Sequence, residues 1–416
     1  MDWNPIDPKI TARRARHVLQ WAVLGSLVGV IAGLSSYAFL ESLKWATDLR
    51  LDHDWLPWTL PVVGLGVGLL YHHLGARVAG GNNLLIEEIH EPQAWVPRRM
   101  APLIYVSTVV GHVAGASIGR EGAAIQMAGG LTDAAARYSR ASGETRRLLL
   151  ISAIAGGFSA VFGVPLAGCV FALEVQAIGG LRYDALVPCL AASVVGDRIV
   201  IGLGYHHDAI ARVPDVDLSA GLIAKIVAAA VCFGVIASLF SWAVHAIEHV
   251  AARLVSWPPL RPVVGAVIVL ALMGAAGTRA YLGLSTDVAD AALAGGAGVA
   301  TLAFAWKLGF TAVSLGSGFR GGEVTPLFVM GAALGATLGT ALHAPVPLFA
   351  AIGFVAVFGA AANTPLACAV MALELFGPEV AVPAAIACVV AYACSSHQGI
   401  YHAQRIDTPK TPHHRG

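Results

Sequence analysis

Ionisable residues lie inside two glycine-rich segments of an otherwise apolar chain. Arg120 and Glu121 belong to the segment 115–123, and Glu323 belongs to the segment 316–326. A charge at the centre of a bilayer costs at least about 2.5–3.5 kcal/mol on insertion scales, so such residues are functional candidates by default. We expect Arg120 to be a structural partner of a carboxylate or of helix-end carbonyls, and Glu121 to carry function.

Both glycine-rich segments precede apolar runs, which predicts a helix N-terminus after each of them. The free amides and the positive dipole end of such a terminus bind anions without a lysine in the path. Neutral donors also allow an anion to leave, as permeation requires. Pro326 would fall in the first turn, where its missing N–H costs nothing. A carboxylate at this position competes with an anion, which gives Glu121 its predicted role, and Thr325 either donates a hydroxyl near the anion or caps the helix.

The composition predicts an all-α polytopic membrane protein. Of 416 residues, 57% are hydrophobic and 12% are charged, against about 25% charged in soluble domains. No short alternating segments indicate strands, and the net charge of +1 gives no sign of a nucleic-acid partner. No nucleophile–base or metal motif is visible, so we expect neither an enzyme nor a cofactor or metal. Five charge-free stretches are each long enough to cross a bilayer as a helix: 17–40, 148–173, 226–247, 327–373 and 380–404.

Several apolar stretches are too long for one span and are interrupted by Gly, Pro or Asn, at 163–165, 345–347 and 363–365. A shift of the chain by about 200 residues aligns 165–167 with 365–367 and 172–174 with 372–374. The same shift places Ser117 on Ser317, Arg120 on Arg320 and Gly122 on Gly322. We therefore predict one domain over 1–416, with two related halves at about 18–202 and 219–402. Transporters built in this way bind substrate where interrupted helices meet near the midplane.

The motifs resemble those of CLC chloride channels and transporters. Residues 119–122 are similar to the GREGP signature of that family, residues 322–326 are similar to its GxFxP motif, and Tyr401 falls at its C-terminal tyrosine. The resemblance covers nearly the whole chain, since all segments occur in the right order. It implies a homodimer in the lipid bilayer, with one anion path per subunit and two repeats of inverted topology.

The resemblance also implies roles for individual residues. Glu121 would be the gating glutamate, whose carboxylate occupies an anion site and leaves it when protonated or displaced. The Tyr401 hydroxyl would lie at the inner end of the anion path. Backbone amides that would contact the anion are those of Gly122, Ala123, Glu323 and Val324.

Three departures from the family pattern are similar to its fluoride-exporting branch. Asn82 replaces a serine and offers two N–H donors to a small, strongly hydrated anion. Val324 replaces the phenylalanine of the second motif, and Val175 stands where chloride/proton exchangers carry an internal acid. Glu323 is then a candidate replacement acid, although it could instead pair with Arg320 and hold the loop.

These observations predict a secondary active antiporter that exports fluoride in exchange for protons. The alternatives are a chloride/proton exchanger or a passive anion channel of the same family. Arg13, Arg14 and Arg16 precede the first span, which favours a cytoplasmic N-terminus in a bacterial inner membrane. Lys307, within an apolar stretch, is expected to pair with a buried acid or to extend to the surface.

Overall fold

A computed structural model describes residues 8–207, 212–214 and 216–410. These residues form sixteen α-helices: α1 (Pro8–Asp52), α2 (Leu60–Leu74), α3 (Asn82–His90), α4 (Met100–Val113), α5 (Glu121–Tyr138), α6 (Gly143–Phe162), α7 (Pro165–Glu174), α8 (Leu186–Gly202), α9 (Ala220–Leu254), α10 (Arg261–Ala276), α11 (Thr286–Leu293), α12 (Ala303–Ser317), α13 (Val324–Ala341), α14 (Val346–Ala362), α15 (Pro365–Phe376) and α16 (Ala381–Cys394). Short 3-10 segments occur at Leu56–Thr59, Val78–Gly80, Tyr183–Ala185, Pro258–Leu260 and Pro378–Val380. Two strands, β1 (Ala177–Ile178) and β2 (Arg405–Ile406), pair in parallel.

Within the described residues, six helical segments are long and apolar enough to cross a membrane. Helices suit this environment because they satisfy their backbone hydrogen bonds internally. Shorter apolar helices lie between these six, as the interrupted stretches of the sequence predict. The candidate spans are Thr11–Asp52, Gly143–Phe162, Tyr183–Gly202, Ala220–Leu254, Pro258–Ala276 and Val324–Ala341.

The predicted interruptions are confirmed. Helix α6 ends at Phe162 and α7 begins at Pro165, while α14 ends at Ala362 and α15 begins at Pro365. The residue after α6 is Gly163 with φ 72°, and the residue after α14 is Asn363 with φ 57°. Glycine and asparagine tolerate this left-handed conformation, which terminates a helix. The third interruption, at 345–347, lies at the start of α14.

Helices α1–α8 and α9–α16 form two series with corresponding members, but the offset between them is not constant. Helices α7 and α15 begin 200 residues apart, whereas α5 and α13 begin 203 residues apart. The difference arises in α6 and α14, which contain 20 and 17 residues. The predicted alignment is therefore right for 165–174 and wrong for Arg120 with Arg320, because Arg120 corresponds to Glu323.

The two series exchange equivalent contacts. Gly119 N donates to Gly322 O at 2.6 Å, and Gly322 N donates to Gly119 O at 2.8 Å. Glu174, at the end of α7, accepts hydrogen bonds from the amides that open α15, while Glu374 on α15 accepts hydrogen bonds from the amides that open α7. Such exchanged contacts are expected when two halves are related by a two-fold axis.

An aromatic core lies where the helices of the two series meet. Phe158 on α6 stacks on Phe171 of α7, with ring centroids 4.3 Å apart, and on Phe358 of α14 at 6.2 Å. Phe328 of α13 contacts the Phe358 ring edge-on at 5.2 Å. These rings are fully or almost fully buried, so they fix the packing of the elements that position the site.

Candidate functional site

Three helix N-termini converge at the centre of the molecule: those of α3, α5 and α13. A Cβ atom placed on Gly122 would lie 2.9 Å from Asn82 Nδ2 and 3.1 Å from Gly322 Cα. A side chain at position 122 would require Asn82 or the backbone at Gly322 to shift, so glycine favours this close approach. The predicted helix starts at Glu121 and Val324 are confirmed, and Pro326 lies in the first turn of α13. The free amides of α5 and α13 therefore belong to one site.

Glu121 is completely buried, and its carboxylate lies at the N-terminus of α13. Thr325 N donates to Glu121 Oε2 at 3.0 Å. Thr325 Oγ1 donates to both carboxylate oxygens, at 2.5 and 2.6 Å. The carboxylate thus occupies a position whose donors and dipole suit a small anion. Thr325, for which the sequence left two roles open, binds Glu121 itself.

Arg120 is the structural partner that the sequence predicts. Its Nε donates to Glu121 Oε1 at 3.2 Å, and its backbone N lies 3.3 Å from Oε2. The Arg120 side chain is 18% exposed, so the ion pair is largely shielded from solvent. The guanidinium compensates the buried negative charge of Glu121 in this position.

Glu323 immediately precedes α13, and the predicted alternative that it pairs with Arg320 is wrong. Arg320 Nη1 donates instead to Ala79 O at 3.0 Å, and its guanidinium lies 4.8 Å from the ring centroid of Tyr71. Within the described part of the chain, Glu323 has no ion pair. Glu323 belongs to the lining of a cavity.

The cavity has a volume of about 590 Å³ and is lined by Asn82, Glu323 and Tyr401, among others. The Tyr401 hydroxyl and the Asn82 Oδ1 atom are buried and have no hydrogen-bond partner in the described chain. Buried polar atoms are usually satisfied, so these two are available to a solute in the cavity. The structure thus brings Asn82, Glu323 and Tyr401 to one cavity, beside the helix starts that carry Gly122, Ala123, Val324 and Thr325.

The neighbourhood of Val175 differs from that of a proton-transfer acid. Val175 is buried, and its carbonyl accepts a hydrogen bond from Gln404 Nε2 at 3.0 Å. The same amide nitrogen donates to Ala362 O at 2.8 Å, and Gln404 Oε1 accepts from Asn363 Nδ2 at 3.0 Å. Sequence reasoning missed Gln404. The only indication in the sequence was that an uncharged polar residue follows shortly after Tyr401.

Lys307 neither pairs with an acid nor reaches the surface, so both predictions for it are wrong. The side chain is fully buried on α12. Its ammonium group is satisfied entirely by neutral oxygens of two loops, one of which leads to Arg120 and Glu121. The acceptors are Ser117 Oγ at 2.9 Å, Tyr281 O at 3.3 Å, Gly283 O at 2.7 Å and Ser285 Oγ at 2.9 Å.

The acidic and histidine residues at the end of α3 hold separate structural contacts. Glu88 pairs with Arg146 at 3.2 Å, the His90 ring nitrogen Nε2 lies 2.7 Å from Gln176 O, and Glu91 pairs with Arg405. In the part of the chain that the structure describes, no group of three or more His, Cys, Asp or Glu side chains forms a metal site. These contacts hold α3, the helix that begins with Asn82, in its position.

The profile of a family described as voltage gated chloride channel matches residues 62–396, which include the starts of α3, α5 and α13. The chain belongs to this family. A chloride/fluoride channel protein of Pseudomonas syringae pv. tomato is 46% identical over 412 residues, covering 96% of this chain and 89% of the relative. An H(+)/Cl(-) exchange transporter, ClcA, of Cronobacter sakazakii is 27% identical over 396 residues, covering 85% of this chain and 81% of the relative.

The fold is also that of solved structures in this family. A CLC-type fluoride/proton antiporter superposes with a TM-score of 0.90 at 30% identity, covering 93% of this chain and 98% of that one. A slow cyanobacterial Cl-/H+ antiporter superposes with a TM-score of 0.75 at 18% identity, covering 93% and 96% of the two chains, which shows the fold alone. The all-α, multi-pass membrane fold and the family predicted from the sequence are confirmed.

Proposed function

We propose that the protein is a fluoride/proton antiporter that exports fluoride across the inner membrane of a bacterium. The observation that carries the proposal is the Glu121 carboxylate on the N-terminus of α13, where the Thr325 amide and hydroxyl bind it. An anion and a carboxylate compete for such donors, so protonation of Glu121 frees a place for the anion. This competition links proton movement to anion movement.

Asn82 is the proposed selectivity residue. Its side-chain amide lies against Gly122 at the start of α5 and borders the cavity. An amide supplies two N–H donors, whereas the family serine supplies one hydroxyl, and a more strongly hydrated anion needs stronger donors to replace its water. The names of the Pseudomonas relative and of the antiporter structure support fluoride as the substrate.

Further parts of the anion path are proposed from their positions. The amides of Gly122, Ala123, Glu323 and Val324 would contact the anion, and the Tyr401 hydroxyl would bind it at the inner end. Glu323 would serve as the internal proton acceptor, in place of the acid that chloride/proton exchangers carry at the position of Val175. Leu166 on α7 and Leu366 on α15 are each about half exposed, on two helices that contact each other, and we propose that this surface includes the contact surface of a homodimer.

Flux measurements in proteoliposomes test the antiporter. Fluoride, chloride and proton fluxes are followed with the membrane potential free and then clamped by potassium and valinomycin. A proton gradient should drive fluoride uphill under the clamp, and Glu121→Gln should abolish that coupling. Fluoride flux that follows only its own gradient would identify a passive channel and overturn the proposal.

Substrate identity is tested separately with Asn82→Ser. We expect the preference for fluoride over chloride to fall by about tenfold or more, since a hydrogen bond to a charged group is worth about 1.5–3 kcal/mol. Asn83→Ser is the matched control: Asn83 lines the same cavity, but its Oδ1 accepts a hydrogen bond from Ala403 N at 3.0 Å. If the wild type prefers chloride, the protein is a chloride/proton exchanger, the alternative that relatives such as the Cronobacter exchanger favour.

A further inference from the structure

Proton coupling needs an entry route from the solvent to an acid at the anion path. The residue after Glu174 cannot provide one, because Val175 has no titratable group and the Gln404 amide is hydrogen-bonded to its carbonyl. Glu323 borders the cavity, and so do three histidines, two of whose imidazole rings lie close together. The following inference rests on the proposed antiport.

The two imidazoles belong to His245 on α9 and to His402, which directly follows Tyr401. Their ring centroids lie 6.5 Å apart with an interplanar angle of 75°. His402 is exposed and His245 is half-buried, so the pair spans the change from solvent to cavity. A proton taken up by the outer ring is therefore close to the inner one.

The hydrogen bond of His245 fixes which nitrogen is available. His245 Nδ1 lies 2.7 Å from Ser241 O. A carbonyl oxygen can only accept, so Nδ1 carries the hydrogen and Nε2 of the neutral ring keeps a free lone pair. That nitrogen is the atom of His245 that can accept a proton.

Charged and titratable groups of both signs face this pair within the cavity. Glu248 lies on α9, Tyr71 and His72 lie on α2, and Arg261 begins α10. Arg320 and Glu323 come from the segment between α12 and α13, and Tyr401 precedes His402. Arg320 interacts electrostatically with both Tyr71 and Glu248. The cavity that contains the pair thus holds both cationic and acidic side chains.

We propose that His245 and His402 form a proton-entry pair, which takes protons from the solvent and delivers them through the cavity to Glu323. The proton binds His402 or Nε2 of His245, moves inward, and is released to the Glu323 carboxylate, which becomes neutral. The imidazole returns to its neutral form and the cycle needs no other reactant. The pair would thereby supply protons to Glu323, the acid proposed to replace the one absent at Val175.

The test uses the full-length protein in proteoliposomes, with fluoride-driven proton flux measured between pH 5.5 and 8.0 on the cavity side. In the double variant His245→Gln/His402→Gln we expect turnover at pH 7.5 to fall about tenfold or more, in line with the loss of a positioned proton-transfer group. Turnover should recover at pH 5.5, where bulk protons reach Glu323 directly. Free imidazole at millimolar concentrations should restore turnover at pH 7.5.

His249→Gln is the matched control. His249 lies one turn further along α9, makes the same kind of bond with Nδ1 2.9 Å from His245 O, and is exposed outside the cavity lining. The turnover of the His249→Gln variant should equal that of the wild type. Rescue by imidazole separates proton transfer from structural damage, because a misfolded variant gains nothing from a buffer.

Two outcomes overturn the inference while the antiporter stands: a double variant with wild-type turnover at pH 7.5, or a slow variant that neither low pH nor imidazole restores. Both outcomes count only if a proton gradient drives fluoride uphill in the wild-type protein measured in parallel. If the wild type shows no such coupling, both the antiporter proposal and the proton-entry pair are wrong.

Discussion

The Thr325 hydroxyl contacts both carboxylate oxygens of Glu121, at 2.5 and 2.6 Å. Such a donor stabilises the carboxylate in this position. Release of Glu121 from α13, which the proposed cycle requires, depends on overcoming this contact together with the ion pair to Arg120. The Thr325 bond thus contributes to holding Glu121 on α13.

Replacing this hydroxyl gives a prediction at the residue scale. Thr325→Val keeps the side-chain shape but removes the donor, and hydrogen bonds to charged groups contribute about 1.5–3 kcal/mol. Because one pH unit corresponds to about 1.4 kcal/mol, the pH of half-maximal fluoride flux should move upward by about 1–2 units. The profile is measured in proteoliposomes, with Thr325→Ser as the control that keeps the hydroxyl. An unshifted profile in the valine variant would contradict this role.

At the same scale, single residues mark the limit of what the sequence predicts. The place of Glu121 at a helix start and its pairing with Arg120 could be predicted, because a carboxylate at a helix start has few alternatives in an apolar chain. Lys307 could not, since its four acceptors are two serine hydroxyls and two backbone carbonyls from distant loops. Neither hydroxyls nor carbonyls leave a charge pattern in the sequence. The contacts of Arg320 with Ala79 O and with the Tyr71 ring were unpredictable for the same reason.

Among the elements, α12 supports the loop that presents Glu121. The buried ammonium of Lys307 joins Ser117 in that loop to Ser285 and to two carbonyls of the segment 281–285. Ser117 also bonds to Thr311 Oγ1 at 2.9 Å, and its backbone N donates to Ser314 Oγ at 3.2 Å. The loop therefore has a fixed position relative to α12 before it turns into α5.

Lys307→Met tests this anchor, because methionine has similar length but no donor. Buried carbonyls that lose their partner cost roughly 1–3 kcal/mol each, so we expect a loss of about 2–4 kcal/mol in unfolding free energy. Thermal unfolding in detergent should show a Tm lower by several degrees. Lys225→Met is the control, since Lys225 is only partly buried and makes one bond, to His343 O at 3.2 Å. Equal Tm values for the two variants would rule out the anchor.

Helix boundaries were more predictable than helix equivalences. Glycine, proline and asparagine at 163–165 and 363–365 ended and restarted helices where expected, because these residues restrict the backbone directly. The offset of 200 failed at α5 because α14 is three residues shorter than α6. Glycine and arginine are frequent in both glycine-rich segments, so these residues can match even when the two halves are aligned with a wrong offset.

In the whole molecule, Glu174 and Glu374 connect the two series of helices at their interrupted centres. Glu174 accepts hydrogen bonds from Leu366 N and Ala367 N, at 3.0 and 2.8 Å. Glu374 accepts hydrogen bonds from Leu166 N and Ala167 N, at 2.9 and 2.7 Å. Each carboxylate satisfies the first amides of the opposite helix, which otherwise have no partner within that helix. The first amides of α7 and of α15 therefore each depend on a carboxylate from the other half of the molecule.

This exchange predicts a coupled effect on stability. Glutamine at either position would turn an amide N–H toward backbone donors, so Glu174→Gln and Glu374→Gln should each cost about 1–2 kcal/mol of unfolding free energy. Glu174 is the more buried of the two, so its variant should be the less stable. Both bonds hold the same α7–α15 contact, and the double variant should therefore lose less than the sum of the single losses.

Denaturant titration of the purified protein measures all four species of this double-mutant cycle. Glu144→Gln is the matched control, because Glu144 is an exposed acid in the first turn of α6 and should change stability by less than about 0.5 kcal/mol. Strictly additive losses would mean that the two carboxylates act as independent helix caps. A deficit of about 0.5 kcal/mol or more would mean that the halves are held by one shared contact, since interacting sites in direct contact deviate from additivity by at least that amount.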